Sequence, residues 1–234
     1  MEQSNIVVRV AIPEDVIYAA IITDEMTASA QARGTGIAKR SPDYISKKMT
    51  EGKAVIAVTT DNRWIGFCYI EAWGHEKFVA NSGLIVAPAY RNTGIAKSIK
   101  QRVFALSREK YPDSKIFGLT TGLAVMKINS DLGYKPVTYS ELTDDDKFWE
   151  GCKSCVNYEI LMSKGRKNCM CTAMLFDPAE HPEPKDTATD FKKKSKLYER
   201  FMRLKQNKLI QYWKKKKVDR TEKVKSSFSF FFNL

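Results

Sequence analysis

The sequence predicts an α/β domain followed by a basic helical extension, and three observations carry that expectation. Short apolar, β-branched runs alternate with longer segments whose apolar residues recur at helical spacing, in the order β-α-α-β-β-β-α-β-α-β-β. Apolar residues make up 43% of 234, enough for a sizeable core, which excludes global disorder. The charge is uneven: residues 185–225 hold 16 Lys and Arg against 5 Asp and Glu, leaving 23 and 22 for the rest of the chain. The net charge of +12 therefore belongs to a tail, and the globular part is close to neutral.

The first strand is "IVVRVAI" (residues 6–12), and "PEDVIYAAIITDEMTASAQA" follows with Pro and two acids at its start, the usual helix-opening chemistry. Val16, Ile17, Ala20, Ile21 and Met26 form its apolar stripe. "SPDYISKKMTEG" supplies a Ser cap, Pro at the first helical position and a Gly stop, so a second helix is expected at about residues 42–51. "KAVIAVTT", "RWIGFCYIEAW" and "KFVANSGLIVA" read as three strands, the first two joined by the turn "DN". "GIAKSIKQRVFALSREKY" is a long amphipathic helix ending before Pro112. "SKIFGLTTG" is a strand, "AVMKINSDLG" a short helix closed by Gly133, and "YKPVTYSEL" a further strand. "TDDDKFWEG" is a loop or short helix, and "SCVNYEILMSKGRKNCMCTAMLF" reads as a last hairpin turning at residues 164–167.

These elements delimit a domain at residues 1–176, a proline-bearing linker at 177–190 and a basic amphipathic helix within 191–234. The tail's apolar Leu197, Phe201, Leu204, Leu209, Tyr212 and Trp213 are separated by cations. It fits packing on the domain, contact in a homodimer, or contact with nucleic acid or an anionic membrane surface. No basic n-region precedes an apolar h-region, and no run approaches the ~18 apolar residues of a transmembrane helix. An odd count of five cysteines fits a reducing compartment, so the expected location is the cytoplasm.

One heptapeptide occurs twice in near-identical form: "RGTGIAK" at residues 33–39 and "RNTGIAK" at 91–97. The second copy follows a strand and opens a helix, the geometry of an anion-binding helix N-terminus: amide N–H groups without intrahelical partners, in a partly positive field. Gly94 would let a phosphate approach the backbone, Ala96 stays small, and Arg91 adds a cation. The first copy lies between two helices and lacks that context. Its Arg33, with Lys39 and Arg40 beside it, could grip a carboxylate, or could be solvated surface cations.

"LIVAPAYRNTGIAKSI", an apolar strand followed by V-x-P-x-Y-R and a [QR]-x-x-G-x-[GA] loop, resembles the acetyl-CoA-binding motif of the GNAT superfamily of N-acyltransferases. The resemblance extends over most of residues 5–175, including "PEDV" and "INSDLGYKPV". It implies a mixed, mostly antiparallel sheet flanked by helices, with acetyl-CoA as acyl donor. It also implies that Asn92, Thr93, Gly94, Ile95 and Ala96 cradle the pyrophosphate, and that Leu84, Ile85 and Val86 lie on the strand that pairs with the pantetheine arm. An amide there would polarise the thioester carbonyl; Leu84 and Val86 also suit plain core packing. Many family members carry a Tyr as general acid where this chain has Asn129, which leaves Tyr134 or a water for the role and Asn129 facing the cofactor.

For the general base, Glu71 in "YIEAW" ends a strand bordering the expected cleft, or is a solvated strand-end residue. Thr120 and Thr121 would line the acceptor site, or simply suit a strand. Cys152 and Cys155, then Cys169 and Cys171, offer four thiols from the two arms of the expected hairpin, either as ligands of a structural zinc ion or as small buried residues. The combination of "ARGTGIAKRSP", "KIFGLTTGLAVMKINSDLGY" and "ELTDDDKFWEGCKSCVNYEIL" is similar to a bacterial, N-acetylglutamate synthase-like subgroup of GNAT proteins linked to arginine biosynthesis. That implies a small-molecule amine as acceptor, an amino acid such as glutamate, with acetyl or succinyl as the acyl group. A protein- or RNA-directed acetyltransferase, or a non-catalytic CoA-binding module, stands as the alternative.

Overall fold

The computed structural model describes residues 5–34 and 39–181, all within the first of the two units into which the chain divides, residues 1–181. The basic helix expected within 191–234 lies outside the described residues, as does most of the expected linker. The strands are β1 (Ile6–Val10), β2 (Ala54–Thr59), β3 (Trp64–Trp73), β4 (Phe78–Val86), β5 (Lys115–Thr120), β6 (Lys135–Val137) and β7 (Thr172–Phe176). The helices are α1 (Ala19–Arg33), α2 (Pro42–Thr50), α3 (Ile95–Lys110), α4 (Leu123–Asp131), α5 (Asp146–Glu150) and α6 (Tyr158–Ser163). The seven strands form one sheet in the order β1-β2-β3-β4-β5-β7-β6, antiparallel at every pairing except β4 with β5.

Local chemistry sets the helix starts. Ser41 Oγ accepts the Tyr44 amide at 3.2 Å and Pro42 opens α2, as its sequence predicts. The helix expected from Pro13 instead begins with a 3-10 segment, Pro13–Tyr18. The cause is the buried Asp15, which accepts from the Arg9 guanidinium at 2.6 and 2.9 Å and from the Ile12 amide at 2.8 Å, tying this turn tightly to β1. Burial works to raise the Asp15 pKa, but these bonds to its charged form hold it below the ordinary carboxylate value.

Period-two alternation divides the sheet's side chains between two cores. Ile56, Phe67, Tyr69 and Ile85 pack under α1 and α2 with Ile22, Met26, Ile45 and Met49. Val55, Ile65, Cys68 and Ile70 pack on the other face under α3 with Ile95, Ile99, Val103 and Leu106.

Two irregularities in β4 open the structure. It pairs with β5 only through Phe78, Val79 and Ala80 against Lys115, Ile116 and Phe117, and beyond that the two parallel strands part. On its other edge, the register with β3 slips between Phe67↔Ile85 and Tyr69↔Ser82, so that Gly83 and Leu84 face the single residue Cys68. Gly83 takes a left-handed φ of 67°, and a Cβ there would lie 2.6 Å from the Tyr69 ring and 3.0 Å from the Met26 methyl. Gly83→Ala is therefore expected to destabilise the domain by about 3 kcal/mol, combining left-handed strain with overpacking. Urea denaturation would show this as a lower midpoint at unchanged slope; a loss under about 0.5 kcal/mol would mean that the bulge tolerates a side chain.

Candidate functional site

The parting of β4 and β5 leaves a cavity of about 410 Å³ that passes through the sheet. Asn81, Ser82, Gly83 and Leu84 line one side; Gly118, Leu119, Thr120 and Thr121 line the other. Lys100 from α3 and Asn129 from α4 line it on one face of the sheet. Met26, Tyr69 and Arg40 line it on the face that carries α1 and α2.

At the α3 end, Gly94 is the helix N-cap with φ 88°, Asn92 before it has φ 64°, and a Cβ on Gly94 would meet nothing within 4 Å. The amide N–H groups of residues 92–96 have no acceptor among the described residues. The first internal bonds are those of Lys97 and Ser98 to the Gly94 carbonyl, at 3.0 and 3.2 Å. Five unpaired amide donors in sequence at a helix N-terminus, with open space at Gly94, are suited to a phosphate. The Arg91 side chain, expected to join this cradle, turns away from it. Its guanidinium donates to Glu25 at 2.6 Å, Ser29 Oγ at 2.8 Å and the Val86 carbonyl at 3.1 Å, bracing the loop onto α1.

The other expected residues are sorted by the strand geometry. Leu84 lines the cavity, whereas Ile85 and Val86 are buried in the two opposite cores and pair with β3. Thr120 and Thr121 line the cavity, with Thr120 Oγ1 accepting the Gly122 amide at 3.0 Å. Asn129 is 1% exposed; its amide nitrogen points at Met174 Sδ, 3.7 Å away, and its Oδ1 is buried with no partner.

Glu71 is not on the cavity wall. It accepts from Lys48 Nζ at 2.7 Å and from the Tyr44 hydroxyl, so its lone pairs are engaged in a part-buried ion pair. Tyr134 is not on the wall either. The turn at Gly133, with φ 89°, drops it into the core against Phe104 and Phe176, and its hydroxyl donates to Asn81 Oδ1 at 2.9 Å. Burial raises its pKa well above 10, so it is a poor proton donor.

Of the cations near the first heptapeptide, Arg40 lines the cavity; Lys39 is exposed with its amide on Ser154 Oγ at 2.9 Å, and the Arg33 side chain lies outside the described residues. Arg40 Nε donates to the Tyr69 hydroxyl at 3.0 Å, and the guanidinium lies 5.2 Å from the Tyr44 ring centroid. Burial works against its charge, but Tyr69, Tyr44 and Glu71 more than compensate, and its pKa is raised. No Asp or Glu is paired with it among the described residues. Sequence reasoning missed Lys100 and Asn81. The available signal was a lysine three residues before Val103 and four after Ala96, at the edge of the buried stripe of α3.

The four cysteines all line the cavity, but they do not form the expected metal site: among the described residues no group of three or more His, Cys, Asp or Glu side chains is placed to hold a metal ion. The expected hairpin does not form. Residues 151–163 fold into helical turns instead, and Cys169 and Cys171 precede β7, so strand alternation does not align them. Cys155 Sγ accepts the Asn157 amide at 3.4 Å, and Cys169 Sγ donates to the Asn157 carbonyl at 3.9 Å. Burial, and then the neighbouring thiols, push Cys152 up to about 11 and Cys171 up to about 12.

With this geometry in view, residues 23–123, from within α1 to the first residue of α4, match the family model described as Acetyltransferase (GNAT) family. Solved structures share the fold at low identity. N-acetylglutamate synthase from Neisseria gonorrhoeae, complexed with coenzyme A and N-acetyl-glutamate, is 15% identical with a TM-score of 0.52; the match covers 75% of this chain but only 36% of that one. A Mycobacterium tuberculosis protein in complex with CoA is 18% identical with a TM-score of 0.52, covering 73% of this chain and 98% of that one. A putative acetyltransferase from Salmonella typhimurium with acetyl-CoA is 14% identical with a TM-score of 0.52, covering 78% and 99%. No curated protein matches the sequence. Among the described residues no helix is long and apolar enough to cross a membrane.

The thiol environment makes a measurable prediction. With Cys152 at about 11 rather than 9.0, its thiolate fraction at pH 8 falls roughly 100-fold below that of an ordinary cysteine. Alkylation monitored by peptide mass should be correspondingly slow and should accelerate about tenfold per pH unit as pH rises towards that value. Fast labelling at pH 8, or one zinc per chain by elemental analysis, would overturn this arrangement.

Proposed function

We propose that the chain is an N-acyltransferase that takes an acetyl or succinyl group from acyl-CoA and gives it to the amine of a small carboxylate-bearing acceptor, an α-amino acid such as glutamate. The observation that carries this reading is the polarity of the cavity wall. It holds two cations, Arg40 and Lys100, and no Asp or Glu. Such a wall favours an anionic acceptor and disfavours a lysine-bearing peptide, whose ammonium would meet like charge without a counter-ion.

The residues present fit acyl-CoA. The free amides of residues 92–96 would take the pyrophosphate, and the buried, unpartnered Asn129 Oδ1 would accept from an amide N–H of the pantetheine arm. The arm would enter the gap between β4 and β5, placing its thioester beside the bulge at Gly83 and Leu84. The bound CoA supplies an activated acyl carbon and a thiolate leaving group; the protein orients both and holds the acceptor. Arg40 would hold the acceptor's carboxylate from the opposite face of the sheet, with Tyr69 fixing the guanidinium plane. The Neisseria and Salmonella structures, solved with CoA and N-acetyl-glutamate and with acetyl-CoA, support this reading through their shared fold. We place the arginine-biosynthesis role and the cytoplasmic location in the same proposal.

The test is CoA release from acetyl-CoA and succinyl-CoA against a panel of amino acids and basic peptides. Turnover confined to peptides would shift the assignment to a macromolecule-directed enzyme recruited by the basic tail. CoA binding without any turnover would leave a binding module. Two variants separate donor from acceptor. Arg40→Met should raise the KM for the acceptor roughly 10- to 100-fold, the equivalent of one or two charge-assisted hydrogen bonds, with little change in the KM for acyl-CoA. Gly94→Ala should do the reverse, weakening CoA by about tenfold in calorimetry because a side chain disfavours the left-handed φ of 88° that sets this turn. A KM pattern opposite to this would exchange the two sites.

A further inference from the structure

Resting on that reading, we infer that Lys100 is the catalytic residue that protonates the CoA sulfur as the thioester breaks. Lys100 lies on the α3 face at the floor of the cleft, and it lines the cavity together with Asn81 and Asn129. It is 2% exposed, and its Nζ donates to Asn81 Oδ1 at 3.3 Å and lies 5.3 Å from the Tyr134 ring centroid. Asn81 is itself fixed: its Nδ2 donates to Ser107 Oγ at 2.8 Å, and its Oδ1 also accepts from the Tyr134 hydroxyl. Asn81 and Tyr134 are thus positioning residues for the Lys100 amine.

The titratable groups facing Lys100 are Cys68 from β3 and Tyr134 from the turn after α4. Neither is an anion near neutral pH: burial pushes Cys68 to about 11 and Tyr134 well above 10. Among the described residues no carboxylate pairs with Lys100. A buried ammonium without a counter-ion is costly and persists where a bound molecule supplies negative charge. A thiolate developing within the β4–β5 gap is such a charge.

The tyrosines on the wall lie away from Lys100 and Asn81, on other elements of the lining. Tyr139 donates to the Cys171 carbonyl at 2.8 Å, Tyr69 holds Arg40 on the opposite face, and Tyr158 packs in the cluster with Cys152 and Cys169. Asn129 has no acidic proton to give. In the step itself the acceptor nitrogen bonds to the acyl carbon, the C–S bond breaks with its electron pair going to sulfur, and sulfur takes a proton from Lys100 Nζ. Of the two protons that the acceptor ammonium gives up, one is released to solvent and the other restores Lys100. Burial weakens Lys100's hold on its proton, opposed only by Cys68, which brings its acidity nearer that of a thiol.

The experiment uses the full chain and CoA itself, without turnover. The ultraviolet absorbance of the CoA thiolate is followed as pH rises, with desulfo-CoA as the reference to subtract the protein's own thiols. An ammonium beside the sulfur favours the thiolate, so bound CoA should titrate at least about one pH unit lower in the native protein than in Lys100→Met. Lys100→Arg should keep the lowered thiol titration while losing proton donation. Both variants should bind CoA within about threefold of the native protein and lose roughly 100- to 1,000-fold in kcat, the range of a general acid. Identical thiol titrations in native protein and Lys100→Met, with CoA bound to both and thermal melts confirming folded chains, would overturn the inference and leave Lys100 a structural residue. Failure of the native protein to bind CoA would overturn the proposed function and this step with it.

Discussion

The site depends on the three-residue limit to the pairing of β4 with β5. A parallel pair carried to full length would fill the gap with backbone hydrogen bonds, and the sheet would be closed between its two helical layers. Instead the strands diverge after Ala80 and Phe117, and main-chain groups that a ladder would have satisfied border a cavity. The bulge at Gly83 and Leu84 acts on the other edge of the same strand, bending β4 where it leaves β5. The pressure of Tyr69 and Met26 on that glycine shows how little room the bend leaves.

Electrostatics follow from this opening. Two carboxylates are engaged before any ligand arrives, Glu71 by Lys48 and Tyr44 and Glu25 by Arg91. What remains on the wall is cationic, with Arg40 on the face of α1 and α2 and Lys100 on the face of α3. Two separate positive centres on opposite faces of one sheet suit a reaction in which an anionic acceptor and an anionic leaving group approach from different sides. A single pooled cluster would attract both ligands to the same place.

The sheet, its flanking helices and the glycine turn that opens α3 were legible in the sequence because each rests on local chemistry. The Ser-Pro cap of α2, the stripe of α3 and the glycine at the strand–helix junction of residue 94 all act within a few residues of one another. The misread elements depend on distant partners. Asp15 converts the opening of the first helix into a 3-10 turn because of Arg9, and residues 151–163 become helical turns around Leu161 and Trp149, which pack with β5 and β7. The roles expected of Glu71 and Tyr134 failed for the same reason: strand position told where each Cα lies, but not that Lys48 would claim one side chain and Asn81 the other. Lys100 was overlooked because a lysine on an amphipathic helix normally belongs to its wet face, and only the packed sheet shows it pointing inward.

The twin heptapeptides show why equal letters need not carry equal chemistry. The first begins at the end of α1, where Gly34, with φ 59°, stops the helix and its amide bonds back to the Gln31 carbonyl; residues 35–38 lie outside the described residues. The second ends at the start of α3, where Gly94, with φ 88°, releases the helix and leaves five amides unpaired. A helix C-terminus presents carbonyl oxygens and the negative end of the macrodipole, and an N-terminus presents N–H groups and the positive end. An anion therefore has reason to settle on the described backbone of the second copy and none to settle on that of the first copy at Gly34. Beside the first copy, Arg40, just past its last residue, reaches the cavity with a cationic side chain instead.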